Sequence, residues 1–207
     1  MKYDTVIWDI DGTLINTAQG LVSAYQYSLD TLGLELRSIE EIKSFIGPVP
    51  KTVFIERFGM NEIAAQHASD IFRERYKTHD LLKAELYQGI TTVLTTLKNN
   101  HIKQAVATNK RQDYALDICQ HFGLDAFLNP ILGPDNLGTQ TKADLIIQCT
   151  QTLNAQHAVM IGDTKGDASA AQLAGIDFIG VNYGFGFKDI EQYANTPAEI
   201  LNILGLK

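Results

Sequence analysis

The 207-residue chain is poor in cysteine, in positive charge and in long apolar runs. Its two cysteines, Cys119 and Cys149, form no CxxC pair and stand near no histidine at a metal-ligand spacing. That excludes a disulfide framework and a zinc site, and both read as buried thiols in a reducing compartment. His67, His79, His101, His121 and His157 likewise lack ligand spacing. No stretch reaches the roughly 18 apolar residues of a membrane-spanning helix. The opening MKYDTVIWDIDG is interrupted by Asp4 and Asp9 before the core of a signal peptide forms. The expectation is a cytoplasmic protein with no membrane partner. Seventeen lysines and arginines face 24 acidic residues, for a net charge of −7. This balance excludes a general nucleic-acid or membrane-surface binder, but an anionic substrate needs only a locally positive site. Low-complexity segments, charge blocks and internal repeats are also missing.

With 45% hydrophobic residues the chain can bury a substantial core. Short apolar runs recur at 5–8 (TVIW), 103–108 (KQAVAT), 127–132 (FLNPIL), 158–162 (AVMIG) and 178–181 (FIGV). Their brevity and continuity predict strands covered on both faces. Helical patterns lie between most of them, at 89–100, 111–123, 141–154 and 166–175. Gly123 and Gly175 stand where left-handed caps would end two of these. Alternation of this kind predicts an α/β fold, a doubly wound, Rossmann-like parallel sheet with helices on both sides. Residues 17–87 break the alternation with helical patterns only. Leu21, Ala24, Tyr25, Ser28, Leu29 and Leu32 share one face. Ser38 precedes Glu41 at capping-box spacing in SIEEIKSFIG, and a third amphipathic pattern covers 61–79. The predicted organisation is an α/β core of 1–16 and 88–207, with an inserted helical module at 17–87.

In VIWDIDGTLINT, residues 6–17, three apolar residues run into two carboxylates, Asp9 and Asp11. Repulsion and desolvation oppose that placement, so it calls for positive charge nearby. Ligands of an open parallel sheet bind beyond the carboxyl ends of its strands. Those ends offer Asp9 and Asp11, then Thr108, Asn109 and Lys110, then Gly162, Asp163 and Asp167 in GDTKGD. Lys142, at a helix start, is placed to point the same way. Two unit charges about 4 Å apart repel by roughly 4 kcal/mol at an effective dielectric near 20. Several ionised aspartates therefore converge only around a cation, and an all-oxygen site with room for water suits Mg²⁺. With the ion present, Asp9 is a candidate nucleophile toward a phosphoryl group. Lys142 and Thr108 would bind phosphoryl oxygens, and Gly12 would tighten the turn. Asp11 would protonate the leaving oxygen and then deprotonate the hydrolytic water.

DIDGT (9–13), Thr108-Asn109, Lys142 and IGDTKGD (161–167) resemble, in order and over the whole chain, the four motifs of the haloacid dehalogenase superfamily. Each motif alone is weak, since a strand-end aspartate is usually a turn or cap residue; the ordered set is specific. The resemblance implies Asp9 as nucleophile, Asp11 as general acid/base and Thr108 as phosphoryl ligand. It makes Lys142 a clamp on Asp9 and phosphate. It implies Mg²⁺ held by Asp9, the backbone carbonyl of Asp11, and Asp163, with Asp167 in support. The insert then looks like the superfamily's helical cap. DGTLINTAQGL and FIGPVPKTVF look most like phosphoglycolate phosphatases and a related inorganic pyrophosphatase group.

The resulting expectation is a monomeric or homodimeric phosphatase acting on a small phosphorylated metabolite. Asn109 and Lys51 are candidate substrate-binding residues beside Thr108 and Lys142. Lys51, in the loop IGPVPKT, also reads as a solvated lysine. Asp11 counts against a dehalogenase, and Thr13 and Leu21 depart from the sugar-phosphate mutases. Phosphonoacetaldehyde hydrolysis would need Lys51 as a Schiff base. A receiver-like phosphoacceptor module would carry its aspartate on a later strand and lack the insert. NYGFGF, 182–187, reads either as a glycine-rich loop near the site or as packing of Tyr183 and Phe185.

Overall fold

The computed structural model of the protein describes residues 2–135, 139–186 and 193–206. It divides into two compact units, Met1–Asn16 with Leu86–Lys207, and Thr17–Glu85. The helical pattern carries the insert to residue 87. Leu86 and Tyr87 instead belong to the larger unit, where the Tyr87 N–H donates to Leu14 O over 3.2 Å. Of NYGFGF, Phe187 lies outside the described residues.

The larger unit is built on β1 (Thr5–Trp8), whose residues are all buried. It pairs in parallel with β4 (Lys103–Ala107) on one side, Thr5 opposite Lys103 and Trp8 opposite Val106. On its other side lies β6 (Ala158–Gly162), with Thr5 opposite Ala158 and Trp8 opposite Ile161. β5 (Ile131–Leu132) extends the sheet beyond β4. β7 (Asp177–Val181) and β8 (Tyr193–Ala194) extend it beyond β6. Among the described residues the order is β5-β4-β1-β6-β7-β8. The short strands β2 (Ile15–Asn16) and β3 (Glu85–Leu86) form a separate pair. Because the chain runs outward from β1 in both directions, the carboxyl ends of β1, β4 and β6 border a topological switch point.

Strand alternation decides which side chains meet which helices. Ile7, Ala105, Ala107 and Met160 face one way, against Leu145, Ile146 and Cys149 of α7 (Lys142–Thr152) and Ala170 and Ala171 of α8 (Lys165–Ala174). The alanines of β4 leave room for α7. On the other face Trp8, fully buried, donates its indole N–H to Gln104 Oε1 (3.3 Å). Gln104 Nε2 in turn donates to the backbone of α5 (Ile90–Asn99) at Leu94 O, 3.0 Å away. α5 packs with α9 (Pro197–Ile203). Cys119 and Cys149 are buried free thiols, and burial pushes each up to about 12, so neither is a ready nucleophile.

Helix stops at Gly123 and Gly175 are observed, both in the left-handed region with φ of 66° and 73°. FLNPIL contributes a strand only at Ile131–Leu132, because Pro130 has no N–H to give to a ladder. α9 and β8 left no readable pattern in the sequence.

The smaller unit is helical: α1 (Ala18–Thr31), α2 (Ile39–Lys43), α3 (Pro50–Phe58) and α4 (Glu62–Arg75). Ser38 Oγ accepts the Glu41 N–H (3.1 Å), so the cap read from the sequence is present. The helix it starts is short, because tight turns from Ser44 to Glu41 and from Phe45 to Ile42 close it. Tyr25 is the centre of the core, with ring centroids of Phe45, Phe54 and Phe72 at 5.5, 6.0 and 4.4 Å. None of the helices among the described residues is long and apolar enough to cross a membrane.

After α4 the chain widens into one π-helical turn, Tyr76–Asp80, with the Leu81 N–H bonded to Tyr76 O at 2.7 Å. This turn buries Asp80 completely. Its Oδ1 receives Ser23 Oγ (3.0 Å) and Lys83 Nζ (2.7 Å), and its Oδ2 receives Arg75 Nε (2.8 Å). Gly20 is required beside it, since a Cβ there would overlap the Asp80 carbonyl. Burial alone would raise the Asp80 pKa, but Lys83, Arg75 and Ser23 outweigh it and hold the group below the usual carboxylate range. Removing one partner of a buried ion pair costs about 3–5 kcal/mol. Arg75 and Lys83 remain partly exposed, so Asp80→Asn should cost less, about 1–3 kcal/mol in urea unfolding at pH 7. The folded-state pKa lies below the unfolded one, so this stabilisation is present above about pH 4 and fades as pH falls further. A wild-type advantage under about 0.5 kcal/mol at pH 7, or one that persists in acid, would show that the carboxylate is not what holds this turn.

Candidate active site

Four segments meet at the carboxyl ends of β1, β4 and β6. Asp9 directly follows β1 and prolongs its ladder, donating its N–H to Ile161 O at 2.9 Å. The chain then turns sharply: Ile10 O accepts the N–H groups of Thr13, Leu14 and Ile15 at 3.2, 3.0 and 3.0 Å. Gly12 sits in this turn at φ 82°, and a Cβ there would overlap the Asp163 carboxylate and the Phe185 ring. Tyr183 braces the same turn through its hydroxyl, which donates to Thr13 O (3.0 Å). Thr108 follows β4, buried, its N–H on Leu132 O (3.0 Å) and its Oγ1 accepting the Lys110 N–H (3.2 Å).

The third segment is the start of α7. Thr141 caps it, with its Oγ1 accepting the Asp144 N–H and Asp144 answering the Thr141 backbone, which fixes the first turn and Lys142 with it. The fourth is Gly162-Asp163 after β6, followed by the same device at α8. There Asp167 Oδ2 accepts the Thr164 N–H (2.9 Å) and hydroxyl (2.7 Å).

These anchors bring the charged atoms together. Lys142 Nζ donates to Asp9 Oδ1 at 2.6 Å and also to Asp167 Oδ1. Asp9, Asp163 and Asp167 each offer a carboxylate oxygen, all within 4.8 Å of one another. Asp163 Oδ2 accepts the Phe185 N–H (2.6 Å), whereas its Oδ1 is buried with no hydrogen-bond partner among the described residues. Lys110 Nζ lies 3.1 Å from Asp11 Oδ1.

Burial pushes the Asp9 carboxyl up to about 7; Lys142 opposes this, and Asp167 and Asp11 reinforce it. Burial, with the charge of Asp9 added, pushes Asp163 up to about 8. Burial would lower Lys142, but Asp167 and Asp9 outweigh it and raise the ammonium above its ordinary value. With all four carboxylates ionised they face, among the described residues, two ammoniums, Lys110 and Lys142. The excess is two negative charges, the deficit a divalent cation would cancel. The orphaned Asp163 Oδ1 is the observation that fits such an ion, since a buried oxygen left unpaired is costly. Asp167 fits a direct ligand less well, because Thr164 and Lys142 already engage both its oxygens.

Of the residues singled out in the sequence, Asp9, Lys142, Asp163 and Asp167 converge directly, and Asp11 and Thr108 are both in contact with Lys110. Asn109 is exposed on the turn beside Thr108. Lys51 belongs to the smaller unit, at the start of α3, where its ammonium pairs with Glu62. Sequence reasoning noted Lys110 but gave it no role, and nothing in its spacing announces a side chain only 3% exposed. NYGFGF reads as a glycine-rich loop near the site or as packing of Tyr183 and Phe185, and over 182–186 both occur: the Phe185 N–H reaches Asp163 Oδ2, and the Tyr183 ring lies 4.8 Å from that of Tyr87. Gly184 packs where a Cβ would lie 2.5 Å from Asp163 Oδ2.

Comparison with known proteins agrees with this architecture. The family described as haloacid dehalogenase-like hydrolase matches residues 6–181. A 5'-nucleotidase of Pseudomonas aeruginosa is 32% identical over 200 residues, covering 95% of this chain and 90% of that protein. A phosphoglycolate phosphatase of Psychrobacter arcticus is 31% identical over 212 residues, covering 96% and 92%. The crystal structure of a predicted phosphatase from Clostridium acetobutylicum superposes with a TM-score of 0.93 at 31% identity, over 100% of both chains. Sheet order, the four convergent segments and the extent of the match lead to one assignment: the chain belongs to the haloacid dehalogenase-like hydrolases.

Proposed function

We propose that the protein is a Mg²⁺-dependent phosphatase that hydrolyses small phosphate monoesters through an aspartyl-phosphate on Asp9. The observation that carries this reading is the contact of Lys142 Nζ with Asp9 Oδ1 (2.6 Å), beside the unpaired Asp163 Oδ1. An ammonium fixed on a buried carboxylate favours its ionised form against burial and presents positive charge where a phosphoryl group would arrive.

In this mechanism a carboxylate oxygen of Asp9 attacks phosphorus, and the bond from phosphorus to the ester oxygen breaks. Asp11 gives its proton to the departing oxygen. Its carboxylate then takes a proton from water, whose oxygen attacks the phosphorus of the acyl phosphate, releasing inorganic phosphate and restoring Asp9. Thr108 and Lys142 bind the phosphoryl oxygens throughout. Mg²⁺, held by Asp9, Asp163 and the Asp11 backbone carbonyl with Asp167 in support, would screen the repulsion between carboxylate and phosphate. The helical unit of residues 17–85 is the cap in this reading, with Lys51 its candidate contact to the leaving group and Asn109 a further substrate ligand. Relatives named for 5'-nucleotidase and phosphoglycolate phosphatase activity make nucleoside monophosphates and phosphoglycolate the first substrates to try.

With Mg²⁺, purified protein should release phosphate from at least one monoester in a panel of these two classes, sugar phosphates and pyrophosphate. Asp9→Asn should lower that release by roughly 10³-fold or more, as loss of a covalent nucleophile does. No release from any substrate, or full turnover in Asp9→Asn, would refute the mechanism.

The raised carboxyl of Asp163 gives a second expectation. Its folded-state pKa of about 8 exceeds the ordinary value of 3.8, so between these values the native state holds more protons than the unfolded chain. Metal-free stability should therefore fall as pH rises from 5 to 8. Mg²⁺ should restore it, because the ion binds the deprotonated form. Thermal unfolding in EDTA and in Mg²⁺ across this range reads the effect, at about 2–4 °C per kcal/mol for a chain of this size. Asp163→Asn should make the metal-free profile shallower, leaving the part due to Asp9, and remove most of the Mg²⁺ shift. A metal-free melting temperature that climbs toward pH 8 would contradict the electrostatics described.

A further inference from the structure

Lys110 is a second buried ammonium that the four motifs do not account for. It lies in the turn between β4 and α6 (Gln112–His121), and its side chain is 3% exposed. Its backbone is held from two directions. The N–H donates to Thr108 Oγ1 (3.2 Å), and the carbonyl presses on Gly133, where a Cβ would overlap it. Its Nζ ends 3.1 Å from Asp11 Oδ1, an oxygen that is itself buried with no aligned hydrogen bond. Desolvating two such charges costs several kcal/mol per ion, so a buried pair is a weak device for stability alone. It is an effective device for orientation. With Oδ1 engaged by Lys110, the other carboxylate oxygen of Asp11 is left to exchange protons.

We propose that Lys110 is a positioning residue for the acid/base step: its ammonium, fixed by the Thr108 turn, holds Asp11 through Oδ1 so that Oδ2 donates the proton to the leaving group and later accepts it from water. This rests on the function proposed above, in which Asp11 exchanges protons. The role differs from that of Lys142, which contacts the nucleophile. It links the turn that binds phosphoryl oxygen to the group that handles the proton, so the two arrive in register.

p-Nitrophenyl phosphate with Mg²⁺ separates the steps, because nitrophenolate leaves without needing a proton. In Lys110→Met, single-turnover release of nitrophenolate should stay within about 3-fold of wild type. Steady-state turnover, which needs water activation, should fall about 10- to 100-fold, within the range of general acid–base contributions. Because kcat/KM for this ester reports the first step, it should stay within about 3-fold and KM should fall with turnover, while inhibition by inorganic phosphate should move less than 2-fold. Lys110→Arg should recover most of the turnover. Lys110→Gln, which keeps length and a hydrogen-bonding end, carries the same expectation as the methionine variant should that one not fold. In the background of Asp11→Asn, removing Lys110 should cost little more, because both act through one carboxylate. Equal losses in both phases, a 10-fold rise in KM with turnover intact, or losses that multiply in the double variant would overturn the proposal while leaving Asp11 as the acid/base. Full turnover in Asp11→Asn alone would overturn the acid/base reading and this proposal with it.

Discussion

One ammonium organises the centre. Lys142 touches the carboxylates of Asp9, which follows β1, and Asp167, in the first turn of α8, two like charges that would otherwise repel each other. Everything around it serves to place that nitrogen. The cap on Thr141 fixes the first turn of α7, the alanines of β4 let α7 lie close to the sheet, and Asp167 is clamped by the cap of α8. Asp167 thus has two duties through two oxygens, one ending a helix and one holding a lysine. A local feature of chain folding and a requirement of the chemistry are met by the same side chain.

Glycine is the second constraint. Gly12 and Gly184 both approach Asp163 at Oδ2, and a Cβ at either would overlap its carboxylate. The acid is therefore enclosed by backbone rather than by side chains. This explains why Asp163 is fully buried yet has one oxygen bonded to an N–H and the other unpaired. Enclosure of that kind favours a small oxygen-seeking ion over a bulky organic group.

Much of this was legible in the sequence, for identifiable reasons. Strands buried on both faces leave continuous apolar runs, and β1, β4, β6 and β7 fall at or within one residue of those runs. Residues at strand ends inherit their location from the topology, so the convergence of Asp9, Asp163 and Lys142 could be read without coordinates. What stayed hidden depends on direction rather than order. Lys110 is turned inward in a turn that Gly133 approaches closely, a tertiary arrangement with no local signal. The three partners of Asp80 come from α1, from the end of α4 and from the chain after the π-helical turn, and share no spacing. α3 begins at a proline and has a weak apolar face, with only Val53 and Phe54 buried, so its pattern was faint. The helical signal at 61–79 was correct in kind, but nothing in it distinguishes an α turn from the wider turn at 76–80.

Trp8, the only tryptophan in the chain, stands one residue before Asp9, the proposed nucleophile, shielded from water and hydrogen-bonded to Gln104. The molecule therefore carries its own optical label at the one place where it matters. An indole in that setting emits at short wavelength, and its quantum yield responds to charge brought within a few ångströms. With no second tryptophan in the sequence, any change in indole emission on ligand addition reports on this one strand.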